Sequence, residues 1–449
     1  MKILGIIAEY NPFHMGHKYQ IKKAKELSGA DYVVAIMSGN YVQRGAPAVF
    51  EKSIRTKTAL NGGIDAVFEI PSFFSGASAA DFAQYGISLL DILGVDYISF
   101  GAENNDYNLL CSVAGILSGE EIEISIKKYL ASGLNYAKAR HSAIIDNLKS
   151  KSISLQQIMQ IEDILSSPNN ILAIEYLKNI KLIKSNIKPV IISRNGSTYH
   201  EKNIEEDKFA SATAIRNALY KGKKDIFDNI SGGIPLENTD ILKSSKPIFE
   251  DDFLFTVQRN ISDKLYKRED LCEYCDVSDE LKNTINKSIN EIKSRSFEDF
   301  ILSLKSKNFT YTRISRAIFH ILLNHKKKTL EELKSQPDMA AYPLLLGFKK
   351  ASSNLLSELK LRSKKPFISK MSSAKEILCE SGFKVLKTIY IPIFCIIRFI
   401  LKNMVRYLII RTGERLLFYN FFLPKSISDV KVSLSKTDGR TSVRKVRAL

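Results

Sequence analysis

The sequence predicts an α/β chain, a parallel sheet with helical crossovers followed by an α-helical region, and three observations carry that prediction. Between Met1 and Ser193, short apolar runs alternate with stretches of helical periodicity, the pattern of right-handed βαβ crossovers. The first run turns through a proline directly into a helix start bearing two histidines and a glycine. From Asp225 to about Glu380 strand signals mostly vanish, and helical patterns with short Gly, Pro and Asn breaks take over.

Ile3 to Ala8 is apolar and bounded by polar residues, which suits one buried parallel strand. Tyr10-Asn11-Pro12 then turns the chain, because Pro12 cannot continue a central strand. His14-Met15-Gly16-His17 opens a helix with Ile21, Ala24 and Leu27 on one face. A strand leading through a turn into a helix N-terminus is where such sheets bind phosphate, through unpaired backbone N–H groups and the positive helix end. The imidazoles add donors, and Gly16 lets backbone approach closely. Nucleotide phosphate is therefore preferred over two other readings. One is a metal site, which the i, i+3 histidines leave without a third ligand nearby; the other is ordinary loop packing.

Asp31 to Met37 is the second strand, ending in the loop signal Ser38-Gly39-Asn40, and Tyr41 to Phe50 is a Gly- and Pro-broken loop at its carboxyl end. Glu51 to Asn61 is helical, with Lys52 and Arg55 on one face as either a solvated basic stripe or a polyanion contact. Asp65 to Ile70 and Asp96 to Phe100 are the third and fourth strands, separated by a helix from Ala77 to Leu93. Gly101 follows the fourth, where bare backbone can lie against a base or ribose. Asp106 to Leu165 is helical with a break near Ser132-Gly133, and Ser167-Pro168-Asn169-Asn170 begins another helix, with Asn169 readable as a simple cap. Lys188 to Ser193 is the fifth strand, followed directly by Arg194. Phe209 to Arg216 (FASATAIR) offers hydroxyls at a helix start, Ser211 and Thr213, with Arg216 one turn in; the competing reading is an ordinary capped helix.

His14-Met15-Gly16-His17 resembles the HxGH signature of the HIGH-motif nucleotidyltransferase superfamily, and FASATAIR resembles its second signature. Together with GIIAEYNPFHMGHKYQI, MSGNYVQRGAPAVFEKSIRTKTAL and GGIDAVFEIP, the chain resembles the bacterial tRNA(Met) cytidine acetate ligase family from Met1 to about Gly382. The resemblance implies a Rossmann-like nucleotidyltransferase domain over residues 1–225 and an α-helical, tRNA-binding domain over 226–382, with residues 383–449 as a divergent tail. It implies that ATP, with Mg²⁺, activates acetate, and that the acetyl group passes to N4 of the wobble cytidine of elongator tRNA(Met). His14 and His17 would be catalytic. ATP would contact Ile7, Ala8, Glu9, Tyr10, Asn11, Pro12, Phe13, His14, Met15, Gly16, His17, Lys18, Tyr19 and Gln20. Further ATP contacts would come from Gly101, Asn169, Arg194, Ser211, Thr213 and Arg216. Lys52 and Arg55 would meet tRNA, as would Arg313 and Arg316 of the helix begun by Thr310-Tyr311, with Lys305 and Lys307 just upstream. A solvated helix face is the bland alternative for the last group. No resident metal is assigned to side chains.

Other features weigh less. Cys272-Glu273-Tyr274-Cys275 is a lone CxxC without a second pair, short of the four ligands a structural zinc site needs. Lys370-Met371-Ser372-Ser373 resembles the KMSKS loop of class I aminoacyl-tRNA synthetases, but FASATAIR already fills the second phosphate-binding role. Five cysteines, an odd number, argue against a disulfide framework and fit a reducing cytoplasm, and the chain enters its first strand without a signal peptide. The formal net charge of +18 favours a polyanionic partner, yet residues 381–449 hold fourteen basic side chains against three acidic ones, so most of the excess lies in the tail. The tail is an RNA-binding extension, a membrane-surface helix or a misread frame. The last is preferred, because Ile389 to Ile410 mixes Arg398, Lys402 and Arg406 into apolar sequence without one clean polar face, and Pro392 breaks the apolar run Ile389 to Leu401. That run is also too short to span a bilayer.

Overall fold

The computed structural model describes residues 1–387 except 105, 135, 151–153, 194–210, 223–232, 289–295, 307–308, 379, 381 and 384, together with 431–437 and 440–447. Its centre is the strand expected first, β1 (Ile3–Ala8), flanked by β2 (Tyr32–Ser38) and β6 (Tyr97–Ala102). The short pair β3 (Tyr41–Val42) and β4 (Ala46–Pro47) forms an antiparallel hairpin inside the segment read from sequence as a loop. With β5 (Ala66–Ile70), β7 (Lys188–Ser193) and β8 (Leu345–Phe348) the main sheet runs in the order β7-β6-β1-β2-β5-β8. All neighbours pair parallel except β8, which lies antiparallel on β5. The strand order reverses at β1, so the crevice between the carboxyl ends of β1 and β6 is the topological switch point, where open sheets bind ligands.

Strand periodicity of two sorts the side chains onto opposite faces. Leu4, Ile6, Val33, Ala35 and Val67 pack with Ile21, Ala24 and Ala59 of helices α1 (Met15–Ser28) and α2 (Lys52–Asn61). Ile3, Val34, Ile36, Phe68 and Ile98 join the larger core on the other face. The short α3 (Ser72–Ser75) and then α4 (Ala79–Leu93) contribute Phe73, Phe74, Phe82, Leu89 and Leu90 to it. Helices α5 (Tyr107–Leu117), α6 (Glu120–Ala131), α7 (Tyr136–Ser150) and α8 (Leu155–Ser166) extend that core. α9 (Pro168–Leu182) leads back to β7, and α10 (Ala212–Tyr220) follows. Gly29 and Gly94 end α1 and α4 in the left-handed conformation, with φ of 60° and 67°, which glycine adopts without steric cost.

Beyond Pro235 the described chain is mostly helical, as expected, but β8 is a strand the sequence reading lacked. Four residues, Leu345–Phe348, are too few to show a period, and they take strand form because β5 presents an open edge. Arg362 reaches back as well, donating to Asp96 at 2.9 Å and to the carbonyl of Met1 at 2.6 Å. Residues Met1–Tyr390 thus form one compact unit, and Ile391–Leu449 form a second. In the latter, Lys431–Thr437 and Arg440–Arg447 pair as an antiparallel hairpin. The apolar run from Ile389 to Leu401 lies outside the described residues, as do residues 223–232, which include the expected boundary between 225 and 226. Among the described residues no helix is long and apolar enough to cross a membrane.

Candidate active site

His14 is the N-cap of α1, and the two histidines close a reciprocal capping box. The Gly16 N–H donates to Nδ1 of His14 at 3.1 Å, and the His14 N–H donates to Nδ1 of His17 at 3.2 Å. An Nδ1 that accepts from backbone leaves the neutral ring's proton on Nε2, so both stacked imidazoles, 3.7 Å apart, have Nε2–H donor ends. A Cβ at Gly16 would stand 2.9 Å from Cε1 of His14, so any larger residue would push the capping imidazole from its place. Tyr10, at φ 46°, is held in a region that costs a non-glycine residue energy, the kind of strain that collects at functional sites. Its ring packs on Phe13 and edge-on to His17, and the buried Tyr10 hydroxyl has no partner among the described residues. Burial pushes that phenol well above its ordinary range.

The second motif reaches the first directly. Ser211 caps α10 by accepting from the Ala214 N–H at 3.2 Å, and Arg216 donates to the Asn11 carbonyl at 2.8 Å and to Thr213 Oγ1 at 3.0 Å. Asn11 in turn accepts from the Val49 N–H at 2.7 Å, and the Met15 N–H donates to the Gly233 carbonyl at 2.9 Å. Two segments about two hundred positions apart therefore meet at the carboxyl end of β1. Of the flanking residues, Ile7, Ala8 and Glu9 are half-buried at the strand's end. Pro12, after a cis peptide bond, is buried in the turn. Lys18 pairs with Glu237 at 2.6 Å, Tyr19 is exposed, and Gln20 donates to the Ser99 carbonyl at 3.5 Å.

Gly101 sits within β6, opposite Ile192 of β7, so the strand runs two residues further than the sequence suggested. Asn169 lies at the start of α9, where its side-chain amide donates to Glu103, and Glu103 also accepts from the Asn170 N–H at 2.9 Å. Glu103 was missed in the sequence; its only signal is an acidic residue in the turn after a strand, sixty-six positions from its partner. Arg194, like Phe209 and Ala210, lies outside the described residues.

The residues read as a tRNA surface divide differently. Arg55 is fully buried, so no exposed basic stripe joins it to Lys52; helical spacing could not reveal that α2 turns this face inward. Lys52 instead pairs with the buried Glu69 at 2.7 Å. Arg316 is turned inward as well, its Nε donating to Asp276 at 2.7 Å, while Arg313 lies over the Phe309 ring at 4.8 Å. Beside Arg316, His320 and His325 are buried; their Nδ1 atoms are 3.1 Å apart, and His325 meets Ser72 Oγ at 3.2 Å. Cys272 contacts Asp279 and Cys275 is buried; among the described residues no three His, Cys, Asp or Glu side chains gather as a metal site. Lys370-Met371-Ser372-Ser373 leads through a short 3₁₀ turn into Ala374, which belongs to the main core.

Comparison with known proteins agrees with this geometry. The model of the HIGH Nucleotidyl Transferase family matches residues 1–391. The tRNA(Met) cytidine acetate ligase of Thermoanaerobacter sp. (strain X514) is 40% identical over 394 residues, covering 84% of this chain and 91% of that protein. That of Clostridium perfringens (strain ATCC 13124) is 37% identical over 389 residues, again covering 84% and 91%. The crystal structures of Thermotoga maritima TmcAL, apo and bound with alpha-thio ATP, superpose with TM-scores of 0.76 and 0.74. Both are 28% identical and cover 86% of this chain and 91% of theirs. A HIGH-type helix start at the switch point, bound to its second motif through Arg216, and identity along most of the chain lead to one assignment: this protein belongs to the tRNA(Met) cytidine acetate ligase family of HIGH nucleotidyltransferases.

Proposed function

We propose that this chain uses ATP to activate acetate and transfers the acetyl group to N4 of the wobble cytidine in elongator tRNA(Met), giving N4-acetylcytidine. In the first step a carboxylate oxygen of acetate bonds to the α-phosphorus as the bond to pyrophosphate breaks. In the second the cytidine amine attacks the acetyl carbon, AMP leaves, and the amine gives up a proton. Negative charge grows on phosphoryl oxygens in the first step, so the site needs positioned donors and cations more than a nucleophile. The observation that carries the reading is the Arg216–Asn11 contact, which brings the His14–His17 capping box and the α10 start to one end of β1.

His14 and His17 are assigned to the phosphates through Nε2–H, with Ser211, Thr213 and Arg216 supporting them, and Gly101, Asn169 and Arg194 to the nucleoside end. Mg²⁺ is assigned to the ATP itself: a cation held by phosphate oxygens and water needs no cluster of side chains, and none is found among the described residues. The tRNA is assigned to the helical region, with Arg313 retained as a contact; Lys52, Arg55 and Arg316 have internal partners. A cytoplasmic location follows from such a substrate. The test is purified protein with ATP, labelled acetate and a total tRNA pool. Label is expected in N4-acetylcytidine of elongator tRNA(Met), with AMP formed in step; label in a small molecule, or none in RNA, would overturn the reading.

A further inference from the structure

Among the described residues Arg55 is the largest fully buried side chain with a charge, and burial on that scale is costly unless its nitrogens are paired. Its Nε donates to the Phe50 carbonyl at 2.9 Å, one terminal nitrogen to the Glu9 carbonyl at 2.6 Å, and the other to the Gly39 carbonyl. These three carbonyls belong to three different segments. Glu9 begins the loop after β1, Gly39 the loop after β2, and Phe50 ends the stretch that returns to α2. Left unpaired in the interior, each would carry the desolvation penalty of a buried polar group. A planar guanidinium serves the three from three separate nitrogens in a fixed fork, a geometry that an ammonium, with all its donors on one nitrogen, does not reproduce.

The loop after β1 is gripped twice. Arg55 holds the carbonyl of Glu9 and Arg216 that of Asn11, on either side of the strained Tyr10. Asn11 also accepts from Val49, beside Phe50, so the loop is tied both to α10 and to the segment that Arg55 anchors. Burial pulls the guanidinium down to about 10, with Glu9 and Glu69 opposing the fall, so it stays charged at neutral pH.

We infer that Arg55 is a positioning residue for the nucleotide loop, fixing Glu9 to Asn11 so that the His14–His17 capping box meets the phosphates, and that it is not a tRNA contact. The inference rests on the reading of that loop as the ATP site. Its test is Arg55→Lys, which keeps the charge and removes the fork, measured by acetate-dependent ATP–pyrophosphate exchange, a reaction that needs no tRNA. Circular dichroism and melting on the same samples fix the folded fraction. Per folded molecule, kcat/KM for ATP is expected to fall by about a hundredfold, as displaced reacting groups do. The affinity for tRNA and its salt slope should match the wild type. Arg55→Ala with added methylguanidinium should recover part of the exchange rate. Wild-type exchange kinetics in Arg55→Lys would overturn the inference. So would a loss no larger than the unfolded fraction, or a salt slope for tRNA reduced by about one, the mark of a phosphate contact. Exchange in the wild type and its loss in His17→Ala test the site reading separately; a wild type without exchange would overturn both.

Discussion

At the scale of single residues, the histidines of the site and those of the interior face opposite demands. His17 both caps α1 and offers a donor, so His17→Ala removes two things. It should cost about 1 kcal/mol of stability for the cap and about 2.7–4 kcal/mol of transition-state stabilisation, seen as a loss of two to three decades in acetate-dependent AMP formation. His17→Gln keeps an acceptor for the His14 N–H, so it should recover the melting temperature but not the rate. His320 is the converse case. Burial pulls its imidazole down to about 4, against the pull of Asp276, with Arg316, Asp81 and His325 also facing it. Above pH 6.5 it is neutral folded and unfolded alike. Between pH 6.5 and about 4 only the unfolded chain takes the proton, so stability falls as pH falls, by up to about 1.4 kcal/mol per pH unit. Urea titrations at pH 6.5, 5.5 and 4.5 should show a steeper decline for the wild type than for His320→Gln, and equal slopes would refute the assignment.

At the scale of elements, the β3–β4 hairpin is seated against the helix Tyr311–Leu322. Ser315 Oγ donates to the Gly45 carbonyl, and Gly45 itself has φ 70°. A Cβ at Gly45 would lie 2.3 Å from the Arg316 nitrogen and 2.7 Å from the Ser315 carbonyl carbon, both backbone atoms that cannot yield. Gly45→Ala should therefore destabilise by about 2–4 kcal/mol, overpacking and left-handed strain together. Gly29 offers the comparison: its φ is 60° but nothing lies within 4 Å, so Gly29→Ala should cost only about 1 kcal/mol. Denaturant midpoints of the two variants measure the difference, and similar values would show that the hairpin is not held by that helix.

At the scale of the whole molecule, the family match ends at residue 391 and the first compact unit at Tyr390. Leu386 is buried in the main core, with Phe383 and Val385 packed against it, so a cut at Gly382 would strip core side chains. A chain ending at Tyr390 should keep its melting temperature and its AMP formation. Its tRNA affinity should also be unchanged if the basic tail is no binding element; a clear drop in a filter-binding titration would assign the tail to RNA.

Local patterning determined much of this protein. The five parallel strands, the helix start at His14, and the capped helix at Ser211 were all legible, because apolar period, proline and capping residues act within a few positions. β8 was not, since a four-residue edge strand forms only where β5 leaves carbonyls and N–H groups to pair. Glu103 and Arg55 were illegible for the same reason: their partners lie in other loops, and identical spacing describes an exposed stripe or a buried clamp. Sequence placed a basic residue on one face of α2. Only the packing of that face beneath three unpaired carbonyls decided that its charge is spent inside the molecule rather than offered to a partner.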